Sequence, residues 1–354
     1  MQNIFGAMPI SNQDAYIAAL TKYNLKPFQN ISMLPYAGGI GKEIRHLYFQ
    51  LALGEDGLFR TTPELSVVPQ GEKILHHLQV TRLFSFGECN AFCPYCKRDM
   101  QFLDEDGNVI ASDVATVETL FEMAEGAVQR GEVVRFSGGD PVLFPKVCMA
   151  IGEYVRSIGG KGVSIAHNGS GFGFVRNLLP LMSSAAIDIK APRRFMGTVL
   201  GLSDKQGETH FDNSLRCQAL FHSADTNPNG ALLDVRTPVF GAHENPAVPQ
   251  TTLSDMMELA HYITTTNDPR RTFWTWRLYK PVKMCDWNAP DLNVVLSMMQ
   301  QVSAAYPHQW MGIRAKWHGG GMVYCIGGQF VNYEHVDTTE GVGSGNTGEC
   351  ITNS

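Results

Sequence analysis

Runs of β-branched and aromatic residues alternate with apolar stripes of helical spacing some six times along the middle of the chain. In the first stripe, Val117 is followed by Leu120, Phe121, Ala124 and Val128, the spacing of one helix face. Such alternation favours a parallel sheet with crossover helices. The predicted strands are 78–86, 132–136, 162–166, 185–189, 231–235, 272–278 and 310–316. The predicted helices are 117–131, 146–158, 172–181, 213–221, 253–263 and 291–304.

The two ends of the chain lack this pattern, so we divide the chain into three parts. Residues 1–75 carry one predicted helix, Asn12–Tyr23, and then sequence punctuated by Pro and Gly, so we expect an accessory segment packed on the core. Residues 76–320 form the predicted core. Residues 321–354 form an extension, which from Thr338 is rich in Gly, Ser, Thr and Asn and is expected to be a mobile tail. The G-x-G-x-x-G pattern in this tail precedes no helix and indicates no dinucleotide site.

The charge and hydropathy of the chain argue against nucleic-acid and membrane partners. The 28 basic and 34 acidic side chains give a net charge of −6, and there is no dense basic run. A surface for nucleic acid or an anionic membrane is therefore not expected. No stretch approaches the roughly 18 consecutive apolar residues of a membrane span, and the first residues lack the basic start of a secretory signal. We therefore expect a cytoplasmic protein.

Three of the eight cysteines lie within eight residues, directly after the first predicted strand. Cys89, Cys93 and Cys96 have the spacing C-x3-C-x2-C. In a reducing compartment such a group indicates metal binding or catalysis. Structural zinc and iron–sulfur sites usually have four protein ligands, so three thiolates leave one metal position open to another molecule. The alternative is a structural zinc site whose fourth ligand, such as Cys148 or a histidine, comes from elsewhere.

The cysteine spacing, together with the aromatic Tyr95 before the last cysteine, resembles the radical S-adenosylmethionine (SAM) superfamily, whose cluster loop reads C-x3-C-x-aromatic-C. The resemblance covers about residues 79–316. It implies an α/β fold in which parallel strands form a partial (β/α)6 barrel similar to a TIM barrel. It also implies a [4Fe-4S] cluster on Cys89, Cys93 and Cys96, with SAM on the remaining iron.

Two further strand ends carry elements that are similar to those of this superfamily. Gly138, Gly139 and Asp140 resemble a Gly-Gly-Glu-Pro-type element that binds the SAM amino group through its backbone, which glycines let a ligand approach closely. Asn168 lies in His-Asn-Gly, which is similar to a Thr-Asn-Gly element of the superfamily. Either element alone also fits an ordinary turn between a strand and a helix.

The next two strands resemble the activating enzymes for glycyl-radical proteins, especially the activases of anaerobic ribonucleotide reductase. Asp188 and Lys190 form an Asp-x-Lys element. By this resemblance Lys190 meets the SAM carboxylate and Asp188 orders the site; the alternative is a surface ion pair. Arg236 is similar to the activase arginine that approaches SAM, and arginine suits a carboxylate because it can bind it bidentately.

The sequence also departs from the activases. Ala166 stands where some of them have an aspartate, and the sixth strand ends in Tyr279 and Lys280 where several have a histidine. We include Tyr279 and Lys280 among the candidate catalytic residues, and Tyr279 and Cys285 as candidate hydrogen donors by residue type. No second cysteine run is present, so we expect no second cluster.

Trp274 and Trp276 could line the substrate end of the cavity if strand alternation points them inward. The alternative is that both tryptophans belong to the core.

The resemblance implies reductive cleavage of SAM to methionine and a 5′-deoxyadenosyl radical, which abstracts hydrogen from an organic substrate. It also implies oxygen sensitivity and an electron donor such as flavodoxin or ferredoxin. The long N-terminal addition favours a small-molecule substrate such as a sugar, nucleoside or amino-acid derivative. Asp188, Lys190 and Arg236 favour the alternative, an activase that acts on a glycyl-radical protein partner. A zinc-binding interaction module is the non-enzymatic alternative.

Overall fold

The structure is a computed structural model that describes residues 7–34, 42–46, 58, 79–96, 113–282, 285–314 and 322–331. The described helices are α1 (Gln13–Tyr23), α2 (Val117–Gln129), α3 (Pro145–Ser157), α4 (Phe172–Leu178), α5 (Met196–Leu200), α6 (Asp204–Ala219), α7 (Leu253–Thr266) and α8 (Leu292–Ala305). The described strands are β1 (Asn30–Met33), β2 (Lys42–His46), β3 (Gln79–Phe86), β4 (Asp113–Thr116), β5 (Val133–Gly138), β6 (Val163–His167), β7 (Met182–Asp188), β8 (Leu232–Val239), β9 (Thr272–Leu278), β10 (Trp310–Arg314), β11 (Met322–Ile326) and β12 (Gln329–Val331).

All of these strands belong to one sheet, and its central part is parallel. The strands β3, β5, β6, β7, β8, β9 and β10 pair in parallel in this order. A helix lies between each neighbouring pair along the chain. Crossovers between neighbouring parallel strands are almost always right-handed, which places all the helices on one face, as in a (β/α) barrel. No pairing among the described residues joins β10 to β3, so the barrel is partial. The predicted α/β fold with a partial (β/α)6 barrel is confirmed.

Antiparallel strands flank the parallel set at both ends. At one end β1 and β2 pair with β3, and β4 pairs with β1. At the other end β11 pairs with β10, and β12 pairs with β11. The sequence indicated only a helix before residue 75, because strands of four or five residues are too short to show alternation. The predicted tail from Thr338 and the predicted boundaries near residues 75 and 320 lie outside the described residues.

The two faces of the sheet differ in character. The face toward the helices is apolar and forms one side of the main hydrophobic core. Its fully buried side chains lie on successive strands: Phe84, Phe136, Ile165, Ile187, Val235 and Met311. Trp274 and Trp276 belong to this same core. Trp274 lies in register with Val235 and Met311. The interpretation that the two tryptophans belong to the core is therefore confirmed, and the interpretation that they line the inner cavity is wrong. By strand alternation the inner face of β9 carries Phe273, Thr275 and Arg277.

Capping residues determine where helices α6 and α7 begin. Helix α7 begins with a capping box, since Thr252 and Asp255 exchange hydrogen bonds at its start. Helix α6 begins at Asp204, well before the predicted residue 213, because Ser203 and Gln206 form a second capping box. Its first turns are polar, which hides the helical period.

The N-terminal helix α1 packs on the helical layer. Both Lys22 Nζ and the Tyr23 hydroxyl donate to Glu153 Oε1 on α3, each at 2.6 Å. The Ser11 hydroxyl donates to Glu125 Oε1 on α2 at 2.8 Å. In the ranges that the structure describes, no helix has the length and apolarity to cross a bilayer.

Candidate functional site

The three clustered cysteines lie in the loop that follows β3. Cys89 and Cys93 are partly buried and Cys96 is exposed. Burial raises the pKa of Cys93 to about 12; the charge of Lys190 acts against this, and the charges of Cys96 and Cys89 add to it. Burial also raises the pKa of Cys89, while a hydrogen bond from the Ala91 amide lowers it. The three thiols and Lys190 thus share one electrostatic environment.

No group of three or more His, Cys, Asp or Glu side chains within the described ranges is arranged to hold a metal ion. This holds for the three cysteines as they stand in this structure. Their assignment as cluster ligands stays a prediction.

The cysteine loop is held by backbone hydrogen bonds to its neighbours. The Gly139 amide donates to the Phe86 carbonyl and the Asp140 amide donates to the Glu88 carbonyl, each at 2.7 Å. A side chain at Gly139 would place its Cβ 1.8 Å from the Glu88 oxygen, so only glycine permits this approach. Further along, the Phe92 amide donates to the Leu200 carbonyl at 3.0 Å. The loop is therefore fixed on both sides of the Cys89–Cys93 segment.

The residue before the last cysteine is anchored in a cluster of aromatic rings. The Tyr95 ring lies 5.5 Å from that of Phe240, 5.7 Å from that of Trp287 and 6.1 Å from that of Tyr279. Phe240 and Tyr279 directly follow β8 and β9. Burial raises the pKa of the Tyr95 phenol. Tyr95 thus packs the end of the cysteine loop, next to Cys96, against residues that follow β8 and β9.

Asp140 joins the ends of β5 and β6 to the cysteine loop. Its carboxylate, which is 1% exposed, accepts the Val142 amide at 2.9 Å and the Asn168 amide at 2.8 Å. Its Oδ1 also lies 2.7 Å from His167 Nδ1. The Gly171 amide donates to His167 Nε2 at 2.9 Å, so the imidazole proton is on Nδ1 and His167 donates to Asp140. The Asp140 carboxylate thus makes its hydrogen bonds within the fold.

The carboxamide of Asn168 reaches back to the loop. Asn168 Nδ2 donates to Asn90 Oδ1 at 2.7 Å, and Asn90 Nδ2 donates to the Ser170 hydroxyl at 2.9 Å. The Ser170 amide donates to Asn168 Oδ1 at 3.0 Å. These three residues form a closed group of hydrogen bonds beside Cys89.

The charged pair after β7 lies beside the same loop. Lys190 Nζ and Asp188 Oδ2 are in direct contact, and the two side chains are 19% and 15% exposed. Burial opposes the ionisation of Asp188, but the charges of Lys190, Arg236 and Arg277 outweigh it and lower its pKa. Burial opposes protonation of Lys190, yet Asp188 raises its pKa. The pair is largely buried and is not a surface ion pair.

Arg236 lies on the neighbouring strand, in register with Asp188. Its Nε donates to Asp234 Oδ2 at 2.5 Å, and the Thr275 hydroxyl donates to Asp234 Oδ1 at 2.6 Å. Asp234 is 1% exposed. A buried carboxylate therefore fixes the direction of the arginine.

The two candidate catalytic residues, Tyr279 and Lys280, directly follow β9 but lie in different surroundings. Tyr279 is buried among the aromatic rings, and both burial and a hydrogen bond to Cys285 raise its pKa. The structure thus brings together Cys89, Cys93, Lys190 and Tyr95. Tyr279 joins them through its ring contact with Tyr95, whereas Lys280 is exposed.

Three residues of the site are not indicated by any motif in the sequence: Asn90, Asp234 and Thr275. Asn90 lies between the first cysteine and a buried alanine, and its exposed polar character looks like that of any loop residue. Asp234 alternates with Arg236 on one face of a strand. That alternation is the one signal which could have identified it.

Comparisons with known proteins give only remote likenesses. No family model and no curated protein matches the sequence. A radical SAM methyltransferase from Sphaerobacter thermophilus is 12% identical, covers 86% of this chain and 82% of its own, and has a TM-score of 0.47. SuiB of Streptococcus suis, bound to its precursor peptide SuiA, is 11% identical over 76% of this chain and 44% of its own, with a TM-score of 0.38. A GH18 chitinase from Pseudoalteromonas aurantia is 11% identical over 60% and 82%, with a TM-score of 0.33. At these TM-scores the likenesses identify neither a family nor a function.

Proposed function

We propose that this protein is a radical SAM enzyme with a [4Fe-4S] cluster on Cys89, Cys93 and Cys96. The observation that carries the proposal is the position of the cysteine loop at the carboxyl ends of the parallel strands, beside the largely buried Asp188–Lys190 pair. In barrels of this kind the carboxyl ends of the strands form the active site. A loop with three thiols and a nearby cation is a suitable place for a cluster and an amino-acid carboxylate together.

The donor set fits the proposed group. Thiolates are the usual ligands of iron–sulfur clusters, and three thiols in one anchored loop leave one iron for SAM. When bound, the cluster and SAM supply one-electron cleavage of the sulfonium and hence a carbon radical for hydrogen abstraction. The protein has to hold these groups and to keep water away from them.

Named residues of this chain carry those tasks. Lys190 and Arg236 supply cations for the SAM carboxylate, and their paired aspartates fix their directions. The loop of Gly138 and Gly139 brings backbone groups close to the cysteine loop, where they suit the amino group of SAM. The aromatic rings around Tyr95 exclude water from one side of the loop.

We propose a small organic molecule as the substrate, such as a sugar, nucleoside or amino-acid derivative. The long N-terminal addition and the Tyr279 and Lys280 that replace the activase histidine motivate this proposal. A flavodoxin or ferredoxin in the cytoplasm would supply the electron. An activase that acts on a glycyl-radical protein is the second candidate, and the pairing of Asp188 with Lys190 in register with Arg236 favours it.

The decisive experiment is anaerobic reconstitution with iron and sulfide, followed by metal analysis and a SAM-cleavage assay under dithionite. We expect close to four irons per chain and formation of 5′-deoxyadenosine. Cys93→Ala should lose both. Cys325→Ala, which removes a buried thiol on β11, is the matched control and should keep both.

Zinc without iron, or no 5′-deoxyadenosine from the reconstituted protein, contradicts the proposal. The first result would instead support a zinc-binding interaction module. A strict requirement for a second protein before a stable radical forms would support the activase.

A further inference from the structure

Cys89 is held from two sides by residues of the next two strand ends. On one side the Asp140 amide donates to the carbonyl of Glu88, the residue before Cys89. On the other side Asn168 Nδ2 donates to the side chain of Asn90, the residue after it. We propose that Asp140, Asn168 and Asn90, here called the Cys89 clamp, are positioning residues that set the direction of the Cys89 sulfur. The role in catalysis rests on the proposed function, but the positioning itself does not.

The clamp is one connected unit. Asp140 Oδ2 accepts the Asn168 amide at 2.8 Å, so the two arms meet at one residue. His167 and Gly171 extend the unit, since the Gly171 amide donates to His167 and His167 donates to Asp140. Asp140 and His167 are each 1% exposed. Buried and fully hydrogen-bonded groups of this kind are rigid, so the clamp has a fixed base.

Asn90 is the part of the clamp that belongs to the cysteine loop itself. Its Oδ1 accepts from Asn168 at 2.7 Å and its Nδ2 donates to the Ser170 hydroxyl at 2.9 Å. Both partners follow β6, nearly 80 residues away in the sequence. Asn90 is exposed, so its fixed orientation comes from these two hydrogen bonds and not from packing.

Fixing one sulfur has a chemical consequence. Cys89, Cys93 and Cys96 would hold the cluster, and outer groups that orient a ligand affect a metal site almost as strongly as the ligands themselves. Cys96 is fixed separately, by the ring contacts of Tyr95. The clamp therefore acts on Cys89 in particular.

The test compares Asn90→Ala with Asn90→Asp in the full chain. Alanine removes both hydrogen bonds. Aspartate keeps the acceptor for Asn168 Nδ2, and the Ser170 hydroxyl can turn to donate to the second carboxylate oxygen. Asn213→Ala, a change on α6 at a side chain that accepts a 3.4 Å contact from Arg216, is the matched control.

The first readout is the rate at which iodoacetamide alkylates Cys89 in metal-free protein under anaerobic conditions, measured by peptide mass spectrometry. We expect about tenfold faster alkylation of Cys89 in Asn90→Ala, from the loss of two hydrogen bonds, and an unchanged rate at Cys96. Asn213→Ala should match the wild type, and Asn90→Asp should not exceed it, because the hydrogen bonds are kept and the added carboxylate disfavours the Cys89 thiolate. Alkylation of Cys89 that is equally fast in Asn90→Ala and the wild type, or equally raised in Asn90→Asp, overturns the proposal. Unchanged circular dichroism verifies that the variants are folded.

The second readout is the electron paramagnetic resonance spectrum of the reduced, reconstituted protein with SAM. We expect a changed spectrum at full iron content in Asn90→Ala and the wild-type spectrum in Asn90→Asp; identical spectra for all three overturn the catalytic part. If the wild type takes up no iron, the proposed function fails, while the alkylation rates still decide the positioning of Cys89.

Discussion

Replacing Gly139 by alanine should damage the cysteine loop, while the same change at Gly173 should not. A Cβ at residue 139 would lie 1.8 Å from the Glu88 oxygen and 2.9 Å from the Cys89 nitrogen, both backbone atoms that cannot rotate away. Relief requires a shift of the loop that breaks the Asp140-to-Glu88 hydrogen bond of 2.7 Å. Overpacking costs about 1–3 kcal/mol and each lost hydrogen bond about 1 kcal/mol. We expect Gly139→Ala to lower the free energy of unfolding by about 2–4 kcal/mol.

Gly173 lies inside α4, and a Cβ there would meet nothing within 4 Å. Because Gly173 is the second residue of α4 and not in the middle of the helix, Gly173→Ala should leave the free energy of unfolding unchanged or raise it by up to about 0.5 kcal/mol. Urea unfolding of the wild type and both variants, followed by circular dichroism, measures the two changes. A Gly139→Ala variant within about 0.5 kcal/mol of the wild type would refute the close approach of the Gly139 loop to Glu88.

Three further outcomes follow from single side chains. Lys190→Ala removes the cation that offsets the charge of Asp188, so SAM binding in equilibrium dialysis should weaken while iron content stays the same; loss of iron would show a role in cluster assembly instead. Burial lowers the pKa of His210 to about 4, so the folded protein takes up this proton less readily than the unfolded chain. Between pH 6.5 and pH 4 the unfolded chain therefore binds a proton that the folded protein does not, and the free energy of unfolding falls by about 3 kcal/mol in total as the pH is lowered through this range. Above pH 6.5 this loss is absent. Unfolding curves of His210→Gln at pH 7 and pH 5 should differ less than those of the wild type, and an equal difference would contradict the assignment. Thr252→Ala removes one arm of the α7 capping box and should cost about 1 kcal/mol in urea unfolding; no change would show that the cap contributes nothing.

The strand ends could be predicted from sequence because each rests on a local pattern. Cys89, Gly138 and Asp188 each come at the end of a short apolar run, and parallel strands bring such ends to one edge. The sequence therefore predicted which loops meet. It did so without any knowledge of the contacts between them.

Long-range pairings could not be predicted in this way. The hydrogen bond between Asn90 and Ser170 joins residues 80 positions apart, and neither residue type indicates the other. The facing of Trp274 and Trp276, by contrast, has a local signal. The two tryptophans alternate with the polar Thr275 and Arg277, which mark the opposite face of the strand.

The antiparallel strands at the two ends of the sheet have a consequence for shortened forms of the protein. β1 and β2 occupy the outer side of β3, where a ring-shaped barrel would need β10. If residues up to 46 were removed, the backbone amides and carbonyls of β3 would be left without these neighbours. Unpaired strand edges recruit strands from other molecules. A truncated chain that begins after β2 should therefore self-associate. In the full chain, β1 and β2 keep the edge of β3 from pairing with strands of other molecules.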